Sequence, residues 1–271
     1  MDTRIKLIAL DLDGTLLHSD KSISEANRRA VRRALDSGIH VVLASGRMHS
    51  ATARYARGMD FASDSYIISY NGGMGRRLSD QAPLFEHPVS PDKAQWVVRF
   101  AAERGLHLNY YLRDRLYTAR RDRWSELYRE RTGCVSQFAD DLALFDGERP
   151  TKLVIIDSKE VVAQLTTVLK DHFQDNAQVL VTDDEYLEIM ENDATKGLAL
   201  QTIAAKLNVA REECMAMGDG YNDLTMLKWA GRGIAMSNGR KSLLEQVSEH
   251  APPADEDGAA VKINELLDNL Q

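Results

Sequence analysis

The chain has 271 residues, a formal net charge of −7, 44% hydrophobic and 28% charged residues; this is an ordinary globular balance whose acidic excess argues against a dedicated nucleic-acid binder. At roughly 100–200 residues per domain, two domains are expected. The two cysteines, Cys134 and Cys214, form no Cys-x-x-Cys pair and lie far apart in sequence, so no disulfide framework or zinc knuckle is visible, and no stretch approaches the ~18 apolar residues of a membrane span, so a cytoplasmic location is the expectation.

In chain order, the first element is the apolar run Leu7–Leu10, short and continuous like a strand buried on both faces of a parallel sheet. Asp11 and Asp13 cut this run short of the length a signal peptide needs. It ends in Asp11-Leu12-Asp13-Gly14-Thr15, which places two carboxylates beyond the carboxyl end of a strand, where ligands sit in open α/β sheets. A divalent cation would offset their repulsion and favour a phosphate. A polar loop is the plain alternative, but an EF-hand fails because its fifth and twelfth positions are Thr15 and Ser22. Residues 24–37 place Ala26, Ala30, Val31, Ala34 and Leu35 at helical spacing, with Ser22 or Ser24 as cap and Gly38 as stop. The strand Val41–Ala44 runs into Ser45-Gly46-Arg47, a hydroxyl and amides that suit either a phosphate oxygen or a simple helix cap. A third buried strand, Tyr66–Ser69, precedes Tyr70-Asn71-Gly72. Arg47 and Asn71, at strand ends, are candidate substrate contacts.

From about residue 84 the pattern changes. Ser90-Pro91-Asp92 opens a helix that Gly105 ends, with Trp96, Val97, Phe100 and Ala101 as its stripe. Leu106, Leu108, Tyr110 and Leu112 then alternate with His107, Asn109 and Tyr111, and Leu116–Ala119 follows a polar break; this predicts an antiparallel hairpin with one more polar face. The arginine-rich stretch Arg113–Arg131 reads as a solvated helix, because Trp124, Leu127 and Tyr128 share one side while Arg123, Glu126 and Arg129 pair on the other. A strand at Leu153–Ile156, a helix near 159–172 and a strand at Gln178–Thr182 complete the segment. Strand–helix alternation on either side of it predicts an α/β fold: a doubly wound parallel-sheet (Rossmann-like) core of residues 1–83 and 185–271, with an α/β domain of residues 84–184 inserted.

The core pattern resumes with Ala194-Thr195-Lys196-Gly197 at the start of a helix over Leu198–Leu207. A lysine there opposes the macrodipole, at small cost if exposed, whereas a bound anion would favour both the ammonium and the helix end. The strand Cys214–Met217 leads into Gly218-Asp219-Gly220-Tyr221-Asn222-Asp223, which suits an oxygen-ligand cation such as magnesium or an acidic turn capping the next helix. Gly233–Met236 is the last of these strands, and Pro252-Pro253-Ala254-Asp255-Glu256 is a loop before a final helix. No His-Glu-x-x-His, Walker loop or Gly-x-Gly-x-x-Gly occurs, so those routes to zinc, ATP or NAD are not indicated.

Together these segments resemble the haloacid dehalogenase superfamily, which carries Asp-x-Asp-Gly-Thr, then Ser, then Lys, then Gly-Asp-x-x-Asn-Asp in this order. Tyr70-Asn71-Gly72, Ala230–Asn238 and Asp257-Gly258 are similar to its Cof-type phosphatase branch. Gly220 stands where that branch commonly has Asn, and Gly239 where it usually has Ala, so the local loop shape is in question at both places.

The resemblance implies a magnesium-dependent phosphatase whose inserted domain is a substrate-selecting cap. It assigns Asp11 as nucleophile, Asp13 as acid–base, Ser45, Gly46, Lys196 and Asn222 to the phosphate, and Asp11, the Asp13 carbonyl, Asp219 and Asp223 to the metal or its waters. It expects Asp13 to begin protonated, its proton affinity raised by neighbouring acids. The implied partner is a small phosphorylated metabolite, a sugar phosphate in particular, with no nucleic acid, membrane or protein partner indicated. Two alternatives stay open: a phosphomutase or phosphotransferase on the same fold, and a non-enzymatic phosphometabolite sensor.

Overall fold

The structure is a computed structural model that describes residues 4–80 and 82–269. The described residues form two units, one comprising those up to Phe85 and from Thr195 onward, the other Glu86–Ala194.

The first unit begins with β1 (Leu7–Leu10), α1 (Glu25–Asp36), β2 (His40–Ala44), α2 (His49–Arg57), β3 (Tyr66–Ser69) and β4 (Met74–Arg77), and the unit boundary falls within β5 (Phe85–Glu86). The second unit holds α3 (Pro91–Glu103), β6 (His107–Leu112), β7 (Arg115–Thr118), α4 (Arg123–Thr132), β8 (Gln137–Phe138), β9 (Lys152–Ile156), α5 (Lys159–Phe173), β10 (Gln178–Asp183) and β11 (Tyr186–Met190). The chain then returns to the first unit with α6 (Lys196–Lys206), β12 (Cys214–Gly218), α7 (Leu224–Trp229), β13 (Arg232–Met236), α8 (Lys241–Leu244), β14 (Glu249–Ala251) and α9 (Gly258–Asp268).

The first sheet runs β14-β13-β12-β1-β2-β3-β4-β5. It is parallel from β14 to β3, and β4 turns back antiparallel on β3. Leu7 of β1 stands level with Cys214 on one side and His40 on the other. From β1 the chain moves outward through β2 and β3, and after its return it moves the opposite way from β12, so β1 and β12 flank a topological switch point. Alternate strand residues face two cores. Ile8, Leu10, Val41, Leu43, Met215 and Met217 pack with α1 and α9, while Leu7, Ala9, Val42, Ala44 and Ala216 pack with α6 and α7. Apolar residues at every position are what a strand covered on both faces requires. Ser24 caps α1, as one of the two expected serines, accepting from Asn27 N at 3.0 Å.

The second sheet runs β10-β11-β9-β6-β7-β8. One face buries Leu108, Tyr110, Leu112, Leu153, Ile155, Leu187 and Ile189 against α3 and α5. The hairpin of β6 and β7 is present and antiparallel. Its polar face is not solvated, however: His107, Asn109 and Tyr111 are all buried. The Tyr111 hydroxyl pairs with that of Tyr128 on α4, and His107 Nδ1 lies 2.9 Å from Asp122, the cap of α4. The alternating pattern is therefore that of a strand whose polar side is buried, with partners for Tyr111 and His107 on α4 and at its cap. The sequence expectation of a return to the core at residue 185 meets the strand β11, which pairs antiparallel with both β10 and β9, so the second unit continues to Ala194.

Candidate active site

Parallel strands present all their carboxyl ends at one edge, so the loops after β1, β2, β3 and β12 emerge together in the first unit. The loop after β1 holds Asp11, which is 5% exposed. Lys196 Nζ, itself fully buried, donates to Asp11 Oδ1 at 2.6 Å and also to Asp223 Oδ1. Thr195 caps α6 by accepting from Leu198 N at 3.1 Å, which aims the first residue of the helix, Lys196, at the strand ends. A surface lysine is thus the wrong picture of Lys196. Burial alone would discharge it, but the two carboxylates hold its pKa above the usual lysine range.

The loop after β12 is shaped by Asp223. Its Oδ2 accepts the backbone N–H groups of Asp219 at 3.0 Å and Gly220 at 2.8 Å, so it ties its own loop rather than capping α7 through its side chain. Gly14 adopts φ +82°, and a Cβ there would stand 2.3 Å from Asp219 Oδ2; only glycine lets the first and last loops approach this closely. The two departures from the branch pattern lie in the same crowded region. A Cβ on Gly220 would meet Asn222 Oδ1 at 2.3 Å, and the Cβ of Gly239 would meet the carbonyls of Asp219 and Met236, each at 2.8 Å. At Gly239 the crowding atoms are backbone carbonyls, whereas at Gly220 the nearest atom is the tip of the Asn222 side chain, which can move.

Between β2 and α2, Ser45 is buried, and its hydroxyl accepts the N–H of Arg47 at 3.2 Å. The helix starts only at His49, with Met48 as its cap position, so Ser45 is not a helix cap. Asn71, after β3, is 3% exposed with φ +55°, and its Oδ1 accepts from Asn222 Nδ2 at 2.9 Å. A Cβ on Gly46 would lie 2.7 Å from that same Asn71 oxygen. The structure thus joins Ser45-Gly46, Asn71 and Asn222 into one wall.

Carboxylate oxygens of Asp11, Asp219 and Asp223 lie within 4.8 Å of one another, a donor set suited to a hard cation. The electrostatics fit such an occupant. Burial, then the charge of Asp223, raise the Asp11 pKa well above normal despite Lys196. The same two causes push Asp219 up to about 7. One ammonium does not balance three clustered carboxylates, and a divalent cation supplies the missing charge.

Asp13 stands outside this carboxylate set. Arg47 Nε donates to its Oδ2 at 2.6 Å, Arg47 Nη2 to its Oδ1 at 2.6 Å, and Lys21 Nζ to Oδ1 at 2.9 Å. The expectation of a raised proton affinity is overturned: burial acts upward, but the bonds and charge of Arg47, joined by Lys21, bring Asp13 down to about 2. Arg47, expected as a substrate contact, makes a two-point ion pair with this carboxylate. Lys21 was missed, since a lysine in a short polar loop carries no periodic or motif signal. Asn238 is a further link: its Nδ2 donates to the Gly14 carbonyl at 2.8 Å and its Oδ1 accepts from Ala254 N at 2.8 Å.

A family model described as haloacid dehalogenase-like hydrolase matches residues 8–263. The chain is 29% identical over 98% of its length to the 5-amino-6-(5-phospho-D-ribitylamino)uracil phosphatase YitU of Bacillus subtilis (strain 168), covering 99% of that protein. Among solved structures, a haloacid dehalogenase-like hydrolase from Bacteroides thetaiotaomicron superposes with a TM-score of 0.88 at 28% identity, over 97% of this chain and 100% of the other. TM0651 from Thermotoga maritima gives 0.86 at 27% identity, over 96% and 97%.

Proposed function

The chain belongs to the haloacid dehalogenase-like hydrolases and is a phosphatase of that type; from this premise we propose that it uses magnesium, forms an aspartyl-phosphate on Asp11 and acts on a small sugar or polyol phosphate. The observation that carries the reading is the buried Asp11, held by Lys196 at 2.6 Å within a carboxylate set that suits a cation. Asp11, Asp219 and Asp223 would hold the magnesium with the Asp13 carbonyl, and the bound ion would neutralise phosphoryl charge and orient the transferring group.

The chain's own residues do the rest. Lys196, Ser45, the Gly46 loop and Asn222 bind the phosphoryl oxygens, which leaves phosphorus facing Asp11. An Asp11 oxygen attacks phosphorus and the bond to the substrate oxygen breaks. Asp13 gives its proton to the departing alkoxide, then takes one from the water that attacks the acyl phosphate. That second step breaks the bond from phosphorus to Asp11 and releases inorganic phosphate. Because Arg47 and Lys21 hold Asp13 ionised before substrate arrives, the first step requires that this carboxylate acquire its proton in the complex.

The second unit, residues 86–194, is proposed as the substrate-selecting cap. Support for a polyol phosphate comes from the Bacillus subtilis relative, whose named substrate carries its phosphate on a ribityl chain. Among the described residues no helix is long and apolar enough to cross a membrane, and Cys134 and Cys214 are free thiols; both accord with a cytoplasmic enzyme. The test is release of inorganic phosphate from a panel of phosphorylated metabolites, with magnesium and with chelator. Magnesium-dependent release is expected. Phosphate appearing on an added alcohol in place of water would favour the phosphotransferase reading, and binding without turnover would favour a sensor.

A further inference from the structure

A carboxylate that passes a proton first to a leaving group and then from a water must present an oxygen to the same place twice. Free rotation about its side-chain bonds would spread that oxygen over many positions. Asp13 is instead gripped on both oxygens by the two nitrogens of Arg47, each at 2.6 Å. The planar guanidinium matches a carboxylate in this two-point geometry, which an ammonium does not reproduce.

The arginine is itself held. Its side chain is 16% exposed, and its guanidinium lies 5.5 Å from the centre of the Tyr55 ring on α2, within the reach of a cation–π contact. Its backbone N–H donates to Ser45 Oγ, and its carbonyl accepts from Tyr70 N at 2.9 Å. The other cation on Asp13, Lys21, is 49% exposed and meets one oxygen only. One partner is thus a fixed fork and the other a loose point charge.

We propose that Arg47 is a positioning residue for the reaction: it sets the orientation of the Asp13 carboxylate and acts through it, while Lys21 contributes charge without orientation. This rests on the acid–base role given to Asp13 above. Because Arg47 and Ser45 share one loop, the element that places the phosphoryl group also aims the acid–base group.

The test compares kcat and KM on two substrates with different leaving groups. One is p-nitrophenyl phosphate, whose phenolate departs without a proton; the other is the best alkyl phosphate of the panel, whose alkoxide needs one. The variants are Arg47→Ala, Arg47→Lys, Lys21→Ala and Asp13→Asn. Both Arg47 variants are expected to lower the alkyl-to-aryl ratio of kcat by about 10–100-fold, less than the roughly 100–10,000-fold of general acid–base catalysis as a whole because the carboxylate itself remains, with KM little changed. Arg47→Lys keeps the charge and loses the fork, so its ratio should fall as well, and Lys21→Ala should change the ratio much less than either Arg47 variant. Equal losses on both substrates, a change in KM alone, or an Arg47→Lys variant that matches wild type would overturn the proposal. The control separates the two layers. If Asp13→Asn leaves the ratio unchanged, the acid–base reading falls too; if it lowers the ratio and the Arg47 variants do not, only the positioning role is lost.

Discussion

Lys196 Nζ lies 2.6 Å from Asp11 Oδ1, and the two residues are 185 positions apart in sequence. The ammonium has no solvent exposure and is compensated by Asp11 and Asp223 together. A buried charge of this kind is stable only while its partners remain, so the proposed nucleophile and its electrostatic support are also part of the fold.

Replacement of Asp11 by Asn should separate chemistry from folding. The amide keeps the shape and leaves Lys196 its bond to Asp223, so the protein should still fold, with a melting temperature lowered by the loss of one of the two carboxylates that compensate the buried ammonium. Turnover should drop by at least about 1,000-fold, the scale on which removal of a nucleophile acts. Phosphate release at a wild-type rate would remove Asp11 from the mechanism. Lys196→Met should instead cost about 3–5 kcal/mol in the metal-free protein, because two buried carboxylates lose their counter-ion; chemical denaturation with chelator present measures this.

Magnesium binding should depend on pH near neutrality. Burial and Asp223 push Asp219 up to about 7, and Asp11 is raised too, so below that pH a cation must displace protons. Calorimetric titration in buffers of different ionisation enthalpy should detect proton release at pH 6.5 and much less at pH 9. The metal-free protein should show the complementary trend. A carboxyl with a raised folded pKa stabilises the fold while protonated, and that contribution is lost as pH rises through about 7. The gain in melting temperature on adding magnesium should therefore be larger at pH 8 than at pH 6.

Gly14→Ala tests the contact between the first and last loops. At φ +82° an L-residue costs about 1–2 kcal/mol, and the added carbon must move Asp219, whose Oδ2 would be 2.3 Å away. The expected result is a stable protein with weakened magnesium affinity and a kcat reduced by about 100-fold, the cost of misplacing a reacting group by an ångström. Unchanged magnesium affinity by calorimetry would show that Asp219 is not held by this contact.

The Asn71–Asn222 bond should register as energetic coupling. Each alanine variant is expected to lose about 1 kcal/mol, the net value of a partly buried hydrogen bond, with Asn71→Ala losing more because Asn tolerates φ +55° better than Ala. A double-mutant cycle in urea should give a coupling of about 0.5–1.5 kcal/mol. Strict additivity would mean that the two loops are held by other contacts.

Much of the fold was legible in the residues. Continuous apolar runs such as Leu7–Leu10 and Cys214–Met217 are the pattern of strands covered on both faces, and each is followed at once by its acidic loop. The strand ends made Asp11 and Asp219 candidates, and the resemblance to the haloacid dehalogenase superfamily joined Lys196 to them. The polar face of β6 was legible only as polar, because alternation records a difference between two sides and not whether the polar side meets water or protein partners such as Tyr128 and Asp122. The strand β11 was missed because its place depends on pairing with β10 and β9, which is non-local. The protonation of Asp13 was misjudged for the same reason. Sequence places it two residues from Asp11 and hence among acids, but the side chain turns to Arg47, which is 34 positions away. Local chemistry thus determined which residues could form a phosphate and metal site. Tertiary structure decided which charges face each other, because a pKa depends on distance in space and on burial, and neither is a property of a residue's neighbours along the chain.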